Sequence, residues 1–173
     1  AYLSGQQAID WRALGLQGLA DFAVRLDAAS SRTLSTRLDS LPNEVLTSLC
    51  YCLEHVAIDD DLALALRRRG EMACHDGDLE TFCACVRAMG GASRKLAGAW
   101  FDVLLEDPYA CGPDLLAAMV GRGWHHLEDG ERLPRFLDRL AGTPRADFTA
   151  VVRDLALIPR LRLPLLMTLR EAE

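Results

Sequence analysis

The 173-residue sequence has little of what β-sheets and membrane spans require. Isoleucine, valine, threonine and tyrosine are scarce, whereas alanine, leucine and arginine dominate, and this balance favours helices over strands. No run reaches the roughly eighteen apolar residues that a membrane-spanning helix needs. The first residues, 1–5, lack the basic and apolar regions of a secretory signal. These absences favour a helical protein without a membrane span.

Familiar catalytic and nucleotide-binding motifs are also missing. The chain has no Gly-x-Ser-x-Gly, no glycine-rich phosphate loop and no dinucleotide-binding fingerprint. We therefore expect neither an enzyme nor a resident cofactor. The formal net charge of −6 repels the phosphate backbone of nucleic acids, which disfavours general nucleic-acid binding.

What the sequence does contain is helical periodicity. Half of the residues are apolar and a quarter are charged, as in globular proteins, and the apolar residues recur three and four positions apart. Breaks divide this pattern into about ten short helices, of which the fourth starts at Asp59–Asp61 and the ninth at Thr143–Pro144. We predict a single all-α domain over residues 1–173. Its helices would form antiparallel pairs, as a HEAT-like α-solenoid or a compact α–α superhelix.

One short pattern occurs twice, and it supports a helical repeat. Leu46–Leu53 (LTSLCYCL) matches Leu79–Val86 (LETFCACV) at an interval of 33 residues. Looser copies at Leu116 and Phe148 follow after 37 and 32 residues, each on the odd-numbered helix of a predicted pair. Intervals of this size are typical of stacked helix pairs. We therefore expect the cysteines of the two copies to occupy equivalent buried positions.

The same cysteines provide the alternative function, a metal-binding or thiol-based regulatory domain. The candidate ligands are the thiols of the two Cys-x-Cys units: Cys50, Cys52, Cys83 and Cys85. Further ligands would come from His55, Cys74 and His75. Structural zinc sites use Cys-x2-Cys on loops, whereas residues two apart on a helix point about 200° apart. A site would have to join neighbouring helices, for example through Cys50 and Cys83, and we expect small buried thiols instead of a metal.

Arginine clusters are the candidate partner-binding residues. The first cluster is Arg67, Arg68 and Arg69. The second lies near the C-terminus: Arg153, Arg160, Arg162 and Arg170. Arginine is enriched at protein interfaces, and a regulatory nucleic-acid binder that uses these residues is a third hypothesis. The simpler interpretation of an arginine run on a helix is a solvated face.

Histidine and acidic residues also cluster at His125 and His126, which are followed by Glu128, Asp129 and Glu131. Catalytic zinc helices carry two histidines four residues apart, so that both face the metal. His125 and His126 are adjacent and point apart on a helix. We interpret this cluster as the polar end of a helix, where histidine complements the helix dipole.

Two segments carry a resemblance to a known family. The first runs from Tyr2 to Asp21, with Asp10-Trp11 and Leu14-Gly15-Leu16-Gln17-Gly18, and the second is Cys52-Leu53-Glu54 with Ala57-Ile58-Asp59. They resemble a family of uncharacterised bacterial proteins, in which this chain looks like the C-terminal, helix-rich half of a longer protein. The resemblance implies a fragment of a longer chain and no catalytic site.

These observations favour a non-enzymatic helical-repeat scaffold or protein-interaction module. Protein is the expected partner, and no membrane partner is expected. The six cysteines lie in apolar helical contexts of a chain large enough to fold without disulfides, so a reducing cytoplasm is the expected location.

Overall fold

The fold is known from a computed structural model, which describes residues 15–107, 112–129 and 131–171. Ten α-helices account for most of them: α1 Gly15–Val24, α2 Ala28–Arg37, α3 Asn43–Leu53, α4 Asp60–His75, α5 Leu79–Ala88, α6 Arg94–Glu106, α7 Pro113–Gly123, α8 Arg132–Gly142, α9 Phe148–Ala156 and α10 Pro159–Glu171. Three short 3-10 turns occur at Leu38–Ser40, Met89–Gly91 and Trp124–Glu128. The described part of the chain contains no strand, which confirms the predicted all-α class.

Aspartates define where several helices begin. In each case the carboxylate accepts a hydrogen bond from a backbone N–H of the first helical turn: Asp27, Asp59, Asp78 and Asp147. Such an N-cap is worth about 1 kcal/mol relative to alanine. The predicted start of the fourth helix at the acidic run is therefore confirmed, because Asp59 caps α4.

The predicted start of the ninth helix at Thr143–Pro144 is wrong. Thr143 instead ends α8, where its hydroxyl donates to the carbonyl of Arg139 at 2.6 Å. Arg145 then adopts a left-handed conformation with φ of 66°, which an α-helix cannot accommodate. The chain enters α9 only at Phe148, where Asp147 supplies the cap that proline cannot.

The helices pack in two sets, according to whether their number is odd or even. Among the odd-numbered helices α1 contacts α3, α3 contacts α5, and α5 contacts α7. Among the even-numbered ones α2 contacts α4, α4 contacts α6, α6 contacts α8, and α8 contacts α10. The two sets meet most extensively where α4 packs against α5. This neighbour-to-neighbour packing buries one continuous core, in which Trp100 is fully enclosed against Phe82 and the bare Cα of Gly70.

The odd-numbered helices do not repeat at the interval of the Cys-x-Cys pattern. Helices α3, α5, α7 and α9 start 36, 34 and 35 residues apart. The 33-residue interval of the sequence match is thus three residues shorter than the 36 residues between the starts of α3 and α5. A shift of three residues rotates a side chain by about 60° around the helix axis, so the matched residues do not point in the same direction. The expectation of equivalent buried cysteines is consequently wrong. Cys50 and Cys85 are buried, whereas Cys83 and Cys52 are partly exposed.

Several predictions fall on residues outside the described ranges. These are the part of the resemblance segment before Gly15, with Asp10 and Trp11, and Cys111, one of the six cysteines. None of the helices in the described part of the chain is both long and apolar enough to cross a membrane.

Candidate functional site

A groove runs along the odd-numbered helices α3, α5 and α7. It consists of two adjoining cavities of about 390 and 300 Å³, which share Tyr51 and Glu80 as lining residues. The larger cavity is also lined by Leu79, Cys83, Arg87, Asp114 and Ala117. The smaller one is also lined by Asn43, Glu44, Thr47, Ser48, Asp78 and Thr81. We call this surface the α3–α5–α7 groove.

Two large apolar side chains are exposed in the groove. Tyr51 on α3 and Leu79 at the start of α5 are 46% and 51% exposed, respectively. Both extend from helices that are otherwise anchored in the core by fully buried residues, such as Leu49 on α3 and Phe82 on α5. About half of each side chain is already buried, so covering the remainder would gain about 1 kcal/mol each. The groove therefore offers apolar surface that its own chain leaves uncovered.

An ion-pair cluster lies at one end of the groove. The guanidinium of Arg87 lies 5.8 Å from the centre of the Tyr51 ring, a cation–π contact, and its Nε is 3.6 Å from Oε2 of Glu54. Glu54 also lies 3.9 Å from Nε of Arg122 on α7. One largely buried carboxylate thus links the C-terminal ends of α3, α5 and α7. These contacts hold Tyr51 and Arg87 in place before any partner arrives.

A polar network lies at the other end and runs from exposed Asn43 to buried Thr47, Thr81 and Arg69. Asn43 donates to Oδ2 of Asp78 at 2.6 Å, and the Thr81 hydroxyl donates to the same oxygen at 2.7 Å. The hydroxyl oxygens of Thr47 and Thr81 lie 3.4 Å apart. Behind them Arg69, only 7% exposed, donates to Oδ1 of Asn43. The backbone N–H and the hydroxyl of Thr81 lower the pKa of Asp78, which therefore stays ionised beside the buried arginine.

The charge of the groove is negative. Four of its lining residues are acidic: Glu44, Asp78, Glu80 and Asp114. Arg87 is the single cation among the lining residues, and its charge is already shared with Glu54. The cavity walls therefore favour a positively charged group.

The cysteines are placed differently from the proposed cross-helix pairing. Cys50 on α3 lies beside Cys85 on α5, and not beside Cys83. A hydrogen bond with Cys85, reinforced by complete burial, raises the pKa of Cys50 well above its usual range. Burial and the nearby Asp114 carboxylate raise the pKa of Cys83 to about 11. These thiols are protonated at neutral pH, the state in which cysteine is neither a nucleophile nor a metal ligand.

No metal site emerges from the residues that the structure describes. Within residues 15–107, 112–129 and 131–171, no group of three or more histidine, cysteine or acidic side chains is arranged to hold an ion. Cys74, one of the additional candidate ligands, is exposed on α4.

The three adjacent arginines of α4 do not share a surface. Arg67 pairs with Glu71 on the same helix at 2.7 Å, and Arg68 pairs with Asp39 at 3.0 Å. Arg69 is buried in the polar network of the groove, so the expected solvated face holds only two of the three. Of the C-terminal arginines, Arg160 reaches Glu128 at 3.7 Å from α10.

The histidine and acidic cluster follows the end of α7, as predicted for a helix end, but one of its two histidines is buried. His126 is fully buried, and its Nε2 lies 3.3 Å from the Gly90 carbonyl oxygen. Burial lowers the pKa of His126 to about 4, so the ring is neutral at physiological pH. Beside it Arg132 makes two hydrogen bonds to the Asp102 carboxylate, at 2.8 and 3.2 Å, and a third to the His126 carbonyl.

The exposed apolar residues of the groove, Tyr51 and Leu79, were not among the site residues predicted from the sequence. Tyr51 lies between the two cysteines of the first Cys-x-Cys unit, and Leu79 directly follows Asp78, the N-cap of α5. Neither has a local signal of function, because the groove depends on how α3, α5 and α7 align. Only the correct repeat interval would have placed Tyr51 next to Arg87.

Comparison with known proteins identifies the family of the chain. Residues 1–173 match the protein family described as "Protein of unknown function (DUF3549)". No curated protein and no solved structure matches. Because the match covers the whole chain, the protein belongs to this family.

Proposed function

We propose that this member of the DUF3549 family is a non-enzymatic protein-interaction module, and that its α3–α5–α7 groove is the binding site. The occupant would be a segment of a protein partner that carries basic side chains beside apolar ones. The observation that carries the proposal is the groove itself, in which exposed Tyr51 and Leu79 lie among carboxylates such as Glu80 and Asp114.

The residue types in the groove support protein recognition. Tyrosine and arginine are enriched among the residues that dominate binding energy at interfaces. Tyr51 and Arg87 hold one another through their cation–π contact, and Glu54 anchors Arg87 from behind. Side chains that are already fixed lose little conformational entropy on binding, which leaves more of the contact energy for affinity.

The chemistry of the groove supports a binding role over a catalytic one. With a pKa of about 11, the Cys83 thiol is a poor nucleophile at neutral pH. The metal-binding or thiol-based alternative stays a prediction, to be tested by elemental analysis of protein purified without chelators.

Selection from a random peptide library displayed on phage tests the proposal directly. We expect enriched peptides in which lysine or arginine stands next to leucine, methionine or an aromatic residue. Glu80→Lys/Asp114→Lys reverses the charge of the groove and should abolish their binding. Asp138→Lys/Asp154→Lys is the matched control, because it changes the net charge equally at exposed carboxylates of α8 and α9.

Two results would contradict the proposal. One is a selection that yields no enriched sequence. The other is a set of peptides that bind the groove-reversed chain as tightly as they bind the unaltered chain. Circular dichroism of both double variants would confirm that they remain helical, since all four substituted residues are exposed.

A further inference from the structure

The last helix, α10, is apolar on both of its faces. Its inner face is buried through Leu161 and Leu165. On the outer face Leu163, Leu166 and Met167 are 66%, 55% and 49% exposed. The spacing i, i+3, i+4 places these three side chains in one stripe on the helix surface. An ordinary surface helix carries polar residues there, so this stripe is apolar surface without a partner in its own chain.

Arginines surround the apolar stripe. By helical geometry Arg160 and Arg162 lie on its two sides, and Arg170 lies in line with it one turn after Leu166. Arg160 is largely exposed and reaches Glu128 only at 3.7 Å. Glu171 is the single acidic residue of the helix. The outer face of α10 is therefore basic as well as apolar.

This face has the chemistry that the α3–α5–α7 groove would accept. The groove combines exposed Tyr51 and Leu79 with carboxylates, and α10 combines exposed leucines with arginines. We infer that the occupant of the groove is a second copy of this chain, which docks the outer face of its α10 there. This inference rests on the proposed function and adds the identity of the partner.

The positions of the two surfaces determine the kind of assembly. Helix α10 packs on α8 and α9, whereas the groove lies across α3, α5 and α7. The two complementary surfaces thus lie on different parts of one chain, and each copy offers one of each. Such a contact is heterologous, so copies associate head to tail, and the rotation between them decides between a closed ring and an open chain.

Charge distinguishes the second copy from two other occupants. An anionic membrane would attract the arginines of α10, but the chain as a whole carries a net charge of −6, and the stripe lacks the aromatic residues that favour membrane interfaces. In a symmetric pair of α10 helices the arginine-rich face of one copy would contact the same face of the other. Repulsion between these like charges disfavours that pairing. The groove supplies the opposite charge on the same molecule, beside exposed apolar side chains.

Sedimentation velocity over a concentration series tests the inference with two charge-reversed chains. The groove-reversed chain is Glu80→Lys/Asp114→Lys, which keeps the native α10. The helix-reversed chain is Arg162→Glu/Arg170→Glu, which keeps the native groove. We expect the unaltered chain to grow in mass with concentration and each reversed chain to associate more weakly by roughly tenfold or more. An equimolar mixture should recover association, because the basic α10 of the groove-reversed chain meets the acidic groove of the helix-reversed chain and the acidic α10 of the latter meets the basic groove of the former.

A chain that carries all four substitutions tests whether opposite charge on the two surfaces is sufficient for association. Its groove is basic and its α10 acidic, so it should recover association with itself. That recovery would exclude misfolding as the reason why the single-surface variants dissociate. The Asp138→Lys/Asp154→Lys chain should associate as the unaltered chain does.

The outcomes that overturn the inference are distinct from those that overturn the groove function. A chain that stays monomeric at every concentration overturns the self-association, whereas library peptides that still bind its groove leave the proposed function intact. An oligomer that survives groove reversal but not helix reversal indicates an α10–α10 pair. Cosedimentation of a monomeric chain with phosphatidylserine vesicles, lost on helix reversal, assigns α10 to a membrane surface. Both of these results would also overturn the inference.

Discussion

Acidification should weaken the folded state through His126. The imidazole is completely buried beside Phe101, and burial, together with His125, Arg132 and Arg94, lowers its pKa from 6.5 to about 4. The unfolded chain therefore binds more protons than the folded one between these two values. Stability from this residue is fully present above about pH 6.5 and is lost as the pH falls toward 4. At about pH 4.5 the loss amounts to about 2–3 kcal/mol.

Urea unfolding at a series of pH values, followed by tryptophan fluorescence, measures this loss, because Trp100 is fully buried. His126→Gln removes the titrating group and keeps an N–H that reaches the Gly90 carbonyl. The variant should be less stable at neutral pH and should lose most of the pH dependence between about 6.5 and 4.5, with His125 responsible for what remains. Asp27 and Asp78 do not interfere, because their pKa values are lowered from 3.8 and they titrate below this window.

The neighbouring histidine provides the control. Burial also lowers the pKa of His125, but its ring is partly exposed, so His125→Gln should leave most of the pH dependence in place. If His126→Gln unfolds with the same pH dependence as the unaltered chain, the reasoning from burial is refuted.

Two further predictions concern packing and thiol reactivity. Gly91→Ala should destabilise the protein by about 2–4 kcal/mol in urea unfolding, because its new Cβ would overlap the Val56 carbonyl oxygen, whereas Gly142→Ala meets no atom within 4 Å and should change stability by less than about 1 kcal/mol. Equal effects of the two substitutions would contradict this account. Alkylation by iodoacetamide, located by mass spectrometry, should modify exposed Cys74 readily and spare buried Cys50 until the chain unfolds. Modification of both at similar rates in the folded protein would contradict the burial of Cys50.

Features that depend on local sequence were predicted well. The acidic run before α4 was recognised as a helix start, and Asp59 does cap that helix. The all-α class followed from the spacing of apolar residues, which depends on neighbours only three or four positions away. The error at Thr143–Pro144 shows the limit of such signals. Both Thr143 and Asp147 are residue types that can cap a helix. The carboxylate of Asp147 accepts a hydrogen bond from the N–H of Ala150, and this bond determines the start of α9.

The arginine run shows why composition alone misplaces side chains. Each residue of a helix turns about 100° from the one before it, so three in succession cover about 200° of its surface. Helix α4 packs against α2, α5 and α6, which leaves only a narrow arc in solvent. Arg67 and Arg68 fit within that arc, and Arg69 is turned into the interior. Its charge is tolerated there because Asn43 and Asp78 form a polar network around it.

The register between α3 and α5 could not be predicted from the Cys-x-Cys match, because polar pairs define it. Asn43 bonds to Asp78 across 35 residues, and Thr47 meets Thr81 across 34. The sequence match of 33 residues would place Asn43 opposite Asp76 and break this network. A buried arginine whose partners are displaced costs several kcal/mol, so the network opposes the alternative alignment. The observed alignment also places Tyr51 beside Arg87, 36 residues later, and this contact forms the wall of the groove. The interval of the Cys-x-Cys match therefore differs from the interval of the contacts that line the groove, and the polar contacts between α3 and α5 select the second.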